Sequence, residues 1–169
     1  MKLYVTANDA DGEAVFARDG APLRSTAFPD GGGFEELWVT RAGAPLGDAD
    51  AIVDGFPFFP GAGDTRFRIV RLVPGYLERA AAGEGGAASG ADTGADVLEA
   101  DAPGMHTTDS IDFGIVLAGE VELELDRGEK RVLRAGDAFV QRATRHRWIP
   151  RGAEPLVMAV LMLGTPASR

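Results

Sequence analysis

Between residues 105 and 146 apolar and polar side chains alternate with period two, and turn-forming residues interrupt the alternation at short intervals. A period of two sends successive side chains to opposite faces of a strand, so this stretch is confined to β-structure with tight connections. Ile111, Phe113, Ile115 and Leu117 share one face, and His106, Thr108, Ser110, Asp112 and Gly114 share the other. Ala118, Gly119 and Glu120 form a turn signal. Glutamates then alternate with Val121, Leu123 and Leu125, as in a strand with one wet face. Asp126, Arg127 and Gly128 mark a second turn, and Gly136 with Asp137 a third. Residues 131–133 and 138–141 are the intervening strands, and a polar corner leads to His146 and Trp148.

The two histidines of the chain, His106 and His146, stand at the two ends of this segment. Their setting resembles the cupin superfamily. His106 matches the first histidine of the usual first motif, Thr108 stands where a second is expected, Asp112 replaces the usual glutamate, and Gly119 matches the glycine. Gly136 opens the second motif and His146 matches its histidine, while Arg142 and Thr144 stand where proline and glycine are expected and Pro150 replaces a final asparagine. The resemblance implies an all-β fold, a cupin-type β-barrel of jelly-roll form, with the motif core at 106–163.

The same resemblance implies a metal site. His106, Asp112 and His146 would present two imidazoles and one carboxylate to a divalent ion such as Fe, Zn, Mn or Ni, leaving positions open for substrate. Thr108 and Gln141 would be supporting donors, with Gly114 leaving room beside the ion. The alternative is a vestigial pocket in which both histidines hydrogen-bond Asp112. Small cupins act as dioxygenases, decarboxylases, isomerases and lyases on small oxygenated molecules, and others only bind ligands. A metal-dependent enzyme, a non-catalytic binding protein and a scaffold with a relict pocket all remain open at this point. Arg142 and Arg145, in the corner before His146, are candidates to meet an anionic ligand through paired hydrogen bonds, and Trp148 would face the same pocket.

A chain of 169 residues with 45% apolar content is expected to bury one core, hence a single domain over 1–169. The net charge of −9 argues against a nucleic-acid partner. Without cysteine there is neither a disulfide framework nor a thiolate metal site. No apolar run is long enough to span a bilayer and the first residues lack a signal-peptide pattern, so a cytoplasmic protein without a membrane partner is expected.

Along residues 1–72, short strands are expected at 2–6, 13–17, 23–28, 34–40 and 67–72, completing the sheets of the motif core. Charges at Glu35 and Glu36 break the alternation of the fourth, and Arg66, Arg68 and Arg71 accompany Phe67 and Ile69 in the last. Phe56, Phe58 and Phe59 form either a lid over the core or an aromatic wall of a ligand pocket. Residues 73–105 read as an irregular acidic insertion. Its 80–95 tract of Ala, Gly, Ser and acids is too poor in apolar side chains to offset the entropy of ordering. Pro150, Arg151 and Gly152 mark a further turn, and residues 156–163 (LVMAVLML) after it are apolar on both faces and are expected to be buried on both. Such surplus apolar faces predict a homodimer.

Overall fold

The computed structural model describes residues 1–44, 55–82, 94 and 97–166. Eleven strands are present among them: β1 (Leu3–Asn8), β2 (Ala14–Gly20), β3 (Arg24–Ala27), β4 (Gly33–Thr40), β5 (Thr65–Leu72), β6 (Ser110–Ala118), β7 (Glu120–Glu124), β8 (Lys130–Arg134), β9 (Ala138–Arg142), β10 (Arg147–Arg151) and β11 (Leu156–Gly164). A six-stranded antiparallel sheet has the order β3-β4-β5-β11-β6-β9, and a three-stranded sheet has the order β10-β7-β8. The apolar core joins the inner faces of both, with Val116, Leu156, Met158 and Val160 from the larger sheet and Val121, Leu133 and Trp148 from the smaller. The all-β, cupin-type expectation holds. Among the described residues no helix is long and apolar enough to cross a membrane.

Strand β6 has the two faces its parity predicts. Ser110, Asp112, Gly114 and Val116 are buried, while Phe113, Ile115 and Leu117 are exposed. The polar parity is therefore the inner one. Strands β3, β4 and β5 extend the large sheet as expected, but β1 and β2 pair only with each other, leaving Tyr4 and Phe16 stacked edge to face on an exposed ribbon.

Three further expectations are corrected. Strand β11 buries Leu156, Met158, Val160 and Met162, yet Leu161 and Leu163 on its other face are exposed, because none of the described residues covers that side of the sheet. Strand β10 continues through Pro150 to Arg151, where a turn was expected. Proline is tolerated there because β10 is an edge strand and needs no donor on its outer side. The 73–105 connection contains a short helix, α1 (Tyr76–Ala81). Most of the Ala- and Gly-rich 80–95 tract lies outside the described residues.

The broken alternation of β4 has a local cause. Glu36 is buried on the same inward parity as Phe34, and the pairing register with β5 shifts between Glu36 and Trp38, so that beyond this bulge the inward parity passes to Val39. On β5 the parity that carries Leu72 into the core carries Arg66 and Arg68 there as well, and Phe67 faces outward.

Candidate active site

One row of side chains crosses all six strands of the large sheet on its inner face. Pairing places Arg24 beside Glu36, Glu36 beside Arg68, Arg68 beside Val160, Val160 beside Gly114 and Gly114 beside Phe139. The charged half of this row lies on the N-terminal strands and the apolar half on the motif strands. Gly114 has no side chain because the Phe139 ring lies where its Cβ would be. The space expected beside a metal is thus filled by an aromatic ring.

Between the two sheets lies a cavity of about 190 Å³, room for about one substituted aromatic ring, since a dry protein cavity of ~150 Å³ accepts benzene. Phe28, Phe34, Phe58, Phe59, Tyr76, Phe139 and Trp148 supply its aromatic lining, and Arg68, His106, Thr108, Asp112 and His146 are among its polar groups. Of the two readings of the phenylalanine cluster, the aromatic wall is the one that matches Phe58 and Phe59. Phe56 lies instead under the guanidinium groups of Arg24 and Arg66, at 4.3 and 5.2 Å.

His106 and His146 form a cross-strand pair outside the regular ladders. Each backbone amide donates to the other's carbonyl at 2.9 Å, and the ring centroids are 4.2 Å apart. The Nδ1 of His106 lies 3.0 Å from the Gly104 carbonyl and that of His146 lies 2.8 Å from the Thr144 carbonyl. A carbonyl oxygen carries no hydrogen, so each Nδ1 must be the donor. In the neutral rings each Nε2 is then an unprotonated base. Burial lowers the pKa of both rings. For His146, burial together with the neighbouring His106 ring brings it down to about 3. These are two neutral imidazoles with one open lone pair each.

Asp112 lines the same cavity from β6 and accepts a 2.6 Å hydrogen bond from Ser110 Oγ, which also lies 3.0 Å from Thr108 Oγ1. Burial raises its pKa, opposed by the Ser110 hydrogen bond and by Arg68. Among the described residues no three of His, Cys, Asp and Glu come together as a group able to hold a metal ion. The imidazole that would strengthen the set is replaced by the neutral Thr108 hydroxyl, and the Asp112 carboxylate is engaged by Ser110. The expected centre of His106, Asp112 and His146 is therefore not assembled as a three-ligand group among the described residues.

The other expected site residues divide. Trp148 lines the cavity and stands edge-on to His146 with centroids 5.8 Å apart. Gln141 is buried, but it does not line the cavity, and its Nε2 donates to Thr144 Oγ1 at 2.8 Å, bracing the turn that orients His146. Arg142 and Arg145 do not line it either. The Arg145 guanidinium grips Glu99 through Nε and Nη2 at 2.7 and 2.6 Å and Asp126 through Nη1 at 2.8 Å, so nearby acids already satisfy it. Arg147 and Arg151 likewise pair with Glu124 and Glu122. Among the described residues the cationic group in the cavity wall is Arg68, to which the sequence alone assigns no role. Its signal was the shared parity of Arg66 and Arg68 with Leu72.

The Cupin domain family matches residues 97–163. A 44-residue segment is 59% identical to Phomopsin biosynthesis cluster protein C' of Diaporthe leptostromiformis, covering 26% of this chain and 23% of that protein. A 45-residue segment is 53% identical to the cupin-domain-containing oxidoreductase srdD of Neurospora crassa, covering 27% and 23%. The matched segments thus span about a quarter of these relatives' length. Among solved structures, a Cupin 2 conserved barrel domain protein of Salinispora arenicola superposes with a TM-score of 0.48 at 17% identity, covering 87% of this chain and 89% of that one. Residues 97–163, with both histidines and strands β6 to β11, are a domain of the cupin superfamily.

Proposed function

We propose that this protein is a cupin enzyme that moves a proton on a small, oxygenated organic anion, using His106 as the base. The observation that carries the reading is the pair of Nδ1 hydrogen bonds to backbone carbonyls, which leaves two Nε2 lone pairs as the basic groups of an aromatic-lined cavity. His146, held near 3, is the poorer base and stays neutral; His106 shares its cavity without its full penalty. A bound anion offsets part of the burial cost and raises the basicity of His106 toward the useful range. Thr108, Tyr76 and the protonated form of Asp112 are among the lining groups able to donate to an oxygen that gains charge as the proton leaves. Burial keeps the Tyr76 hydroxyl protonated, hence a donor.

Proton removal is a step common to isomerases, decarboxylases, lyases and many oxidoreductases, so the reading is compatible with the names of the Neurospora crassa, Hypocrea virens and Aspergillus ruber relatives, each called a cupin-domain-containing oxidoreductase. Small 2-oxo and 3-oxo acids in deuterated buffer test it. The chelator-treated protein should accelerate exchange of the hydrogens next to the carbonyl, and His106→Gln should remove about 100-fold or more of that acceleration. Exchange equal in parent and His106→Gln would overturn the assignment.

A further inference from the structure

The charged half of the cross-sheet row has more positive than negative groups. Arg24, Arg66 and Arg68 surround one carboxylate, Glu36, and both Arg68 and Glu36 are only 2% exposed. Each cation is differently engaged. Arg66 donates to the carbonyls of Pro57 and Thr65 at 3.1 and 2.7 Å. Arg24 lies over Phe56. Arg68 meets Glu36 at 2.8 Å and the Phe58 carbonyl through the same Nη2, while its buried Nε has no hydrogen-bond partner among the described residues.

Of the three, Arg68 alone lines the cavity. It lies 4.1 Å over the Phe58 ring and 5.8 Å over the Phe34 ring, and both rings line the cavity with it. A guanidinium lying over the rings of an aromatic wall, with a donor unspent, is suited to a planar acid whose ring lies beside it on that wall. The opposite side of the cavity carries the two neutral imidazoles, which add no charge to hold an anion there. Asp112 is the acidic lining group that opposes it, and its carboxyl is neutralised more readily than an exposed one. Asp30 also lines the cavity, but Arg79 pairs with it at 3.0 Å.

We infer that Arg68 anchors the ligand's negative group and that the ligand is a ring-bearing carboxylic acid, its ring against Phe34 and Phe58 and its reacting carbon toward the histidine pair. This deepens the proposed function and rests on its premise that the cavity takes an organic anion. It also makes Arg68, carried on β5 outside the 97–163 domain match, the specificity-determining residue.

Calorimetric titration of the full chain with benzoate and phenylacetate, each paired with its neutral amide, tests the assignment. The parent should bind at least one acid about tenfold or more tightly than its amide. Arg68→Met should abolish that preference while amide binding persists, Arg68→Lys should keep part of it, and Arg145→Ala should leave it unchanged. Because Arg68→Met strands the Glu36 carboxylate, Glu36→Gln with Arg68→Met serves as the folded neutral counterpart. Equal affinity for acid and amide in the parent, no binding of either acid, or an acid preference that survives in the double variant would each overturn the inference. The parent comparison decides even if a variant fails to fold. Failure here alongside His106-dependent deuterium exchange would leave the proton-transfer reading standing; an Arg68-dependent acid preference without exchange would do the reverse.

Discussion

Glu36 and Arg68 show how much a buried ion pair depends on its surroundings. Both are nearly inaccessible, burial pushes the Glu36 carboxyl up, and Arg68, Arg24 and Arg66 pull it back. Removing one partner leaves the other as an uncompensated buried charge, which costs about 3–5 kcal/mol. Glu36→Gln also leaves three guanidinium groups without their shared carboxylate. Urea unfolding of Glu36→Gln should therefore show a loss of about that size; a loss under about 0.5 kcal/mol, usual for surface changes, would mean the charges are hydrated and not buried. The histidines were legible in sequence because there are two of them and both sit at motif positions. Their chemistry was not, since the atoms that fix their tautomers are the backbone oxygens of Gly104 and Thr144, which no side-chain pattern reports. Arg68 was hidden for a related reason: its partner Glu36 is on another strand, 32 positions away.

At the scale of elements, parity read β6 correctly on both faces because its pairing with β9 is regular and its register with β11 shifts only near its C-terminal end. It blurred β4, where the bulge after Glu36 puts neighbours out of step. Helix α1 is six residues long, too short for a helical period to be visible. The outer face of the large sheet carries a row opposite in character to the inner one: Phe67, Leu161, Phe113 and Val140 are paired neighbours on β5, β11, β6 and β9, and Val140 is 59% exposed. Ile115, Leu117 and Leu163 add to the same exposed set. A continuous apolar face of this kind marks an interaction surface, and a two-fold pairing of identical faces is the commonest way to cover it. Light scattering should give about twice the 17.7 kDa chain mass, and Phe113→Asp with Leu161→Asp should give a folded monomer. A monomeric parent, or a dimer untouched by the two substitutions, would contradict this.

Across the whole molecule the N-terminal strands supply charge and the cupin domain supplies bases, and the cavity exists where the two meet. That division has a pH signature. In the unfolded chain His146 takes up its proton near the ordinary value of about 6.5, whereas the folded protein refuses it until about 3. Between those values the unfolded state binds more protons. The contribution of His146 is therefore fully present above about 6.5 and is lost as pH falls toward 3. His106 acts in the same direction. Asp112 and Glu36, with raised values, act in the opposite one, stabilising at low pH and losing that contribution as pH rises through their folded values. Long-range proton–nitrogen NMR of the imidazoles reads the central claim without this cancellation. With His146 labelled in the intact protein at about pH 5, a free histidine is almost wholly imidazolium. The structure predicts a neutral His146 ring protonated at Nδ1, with His106 in the same tautomer by about pH 7. An imidazolium His146 at that acidic pH, or a proton on Nε2 of either ring, would contradict it.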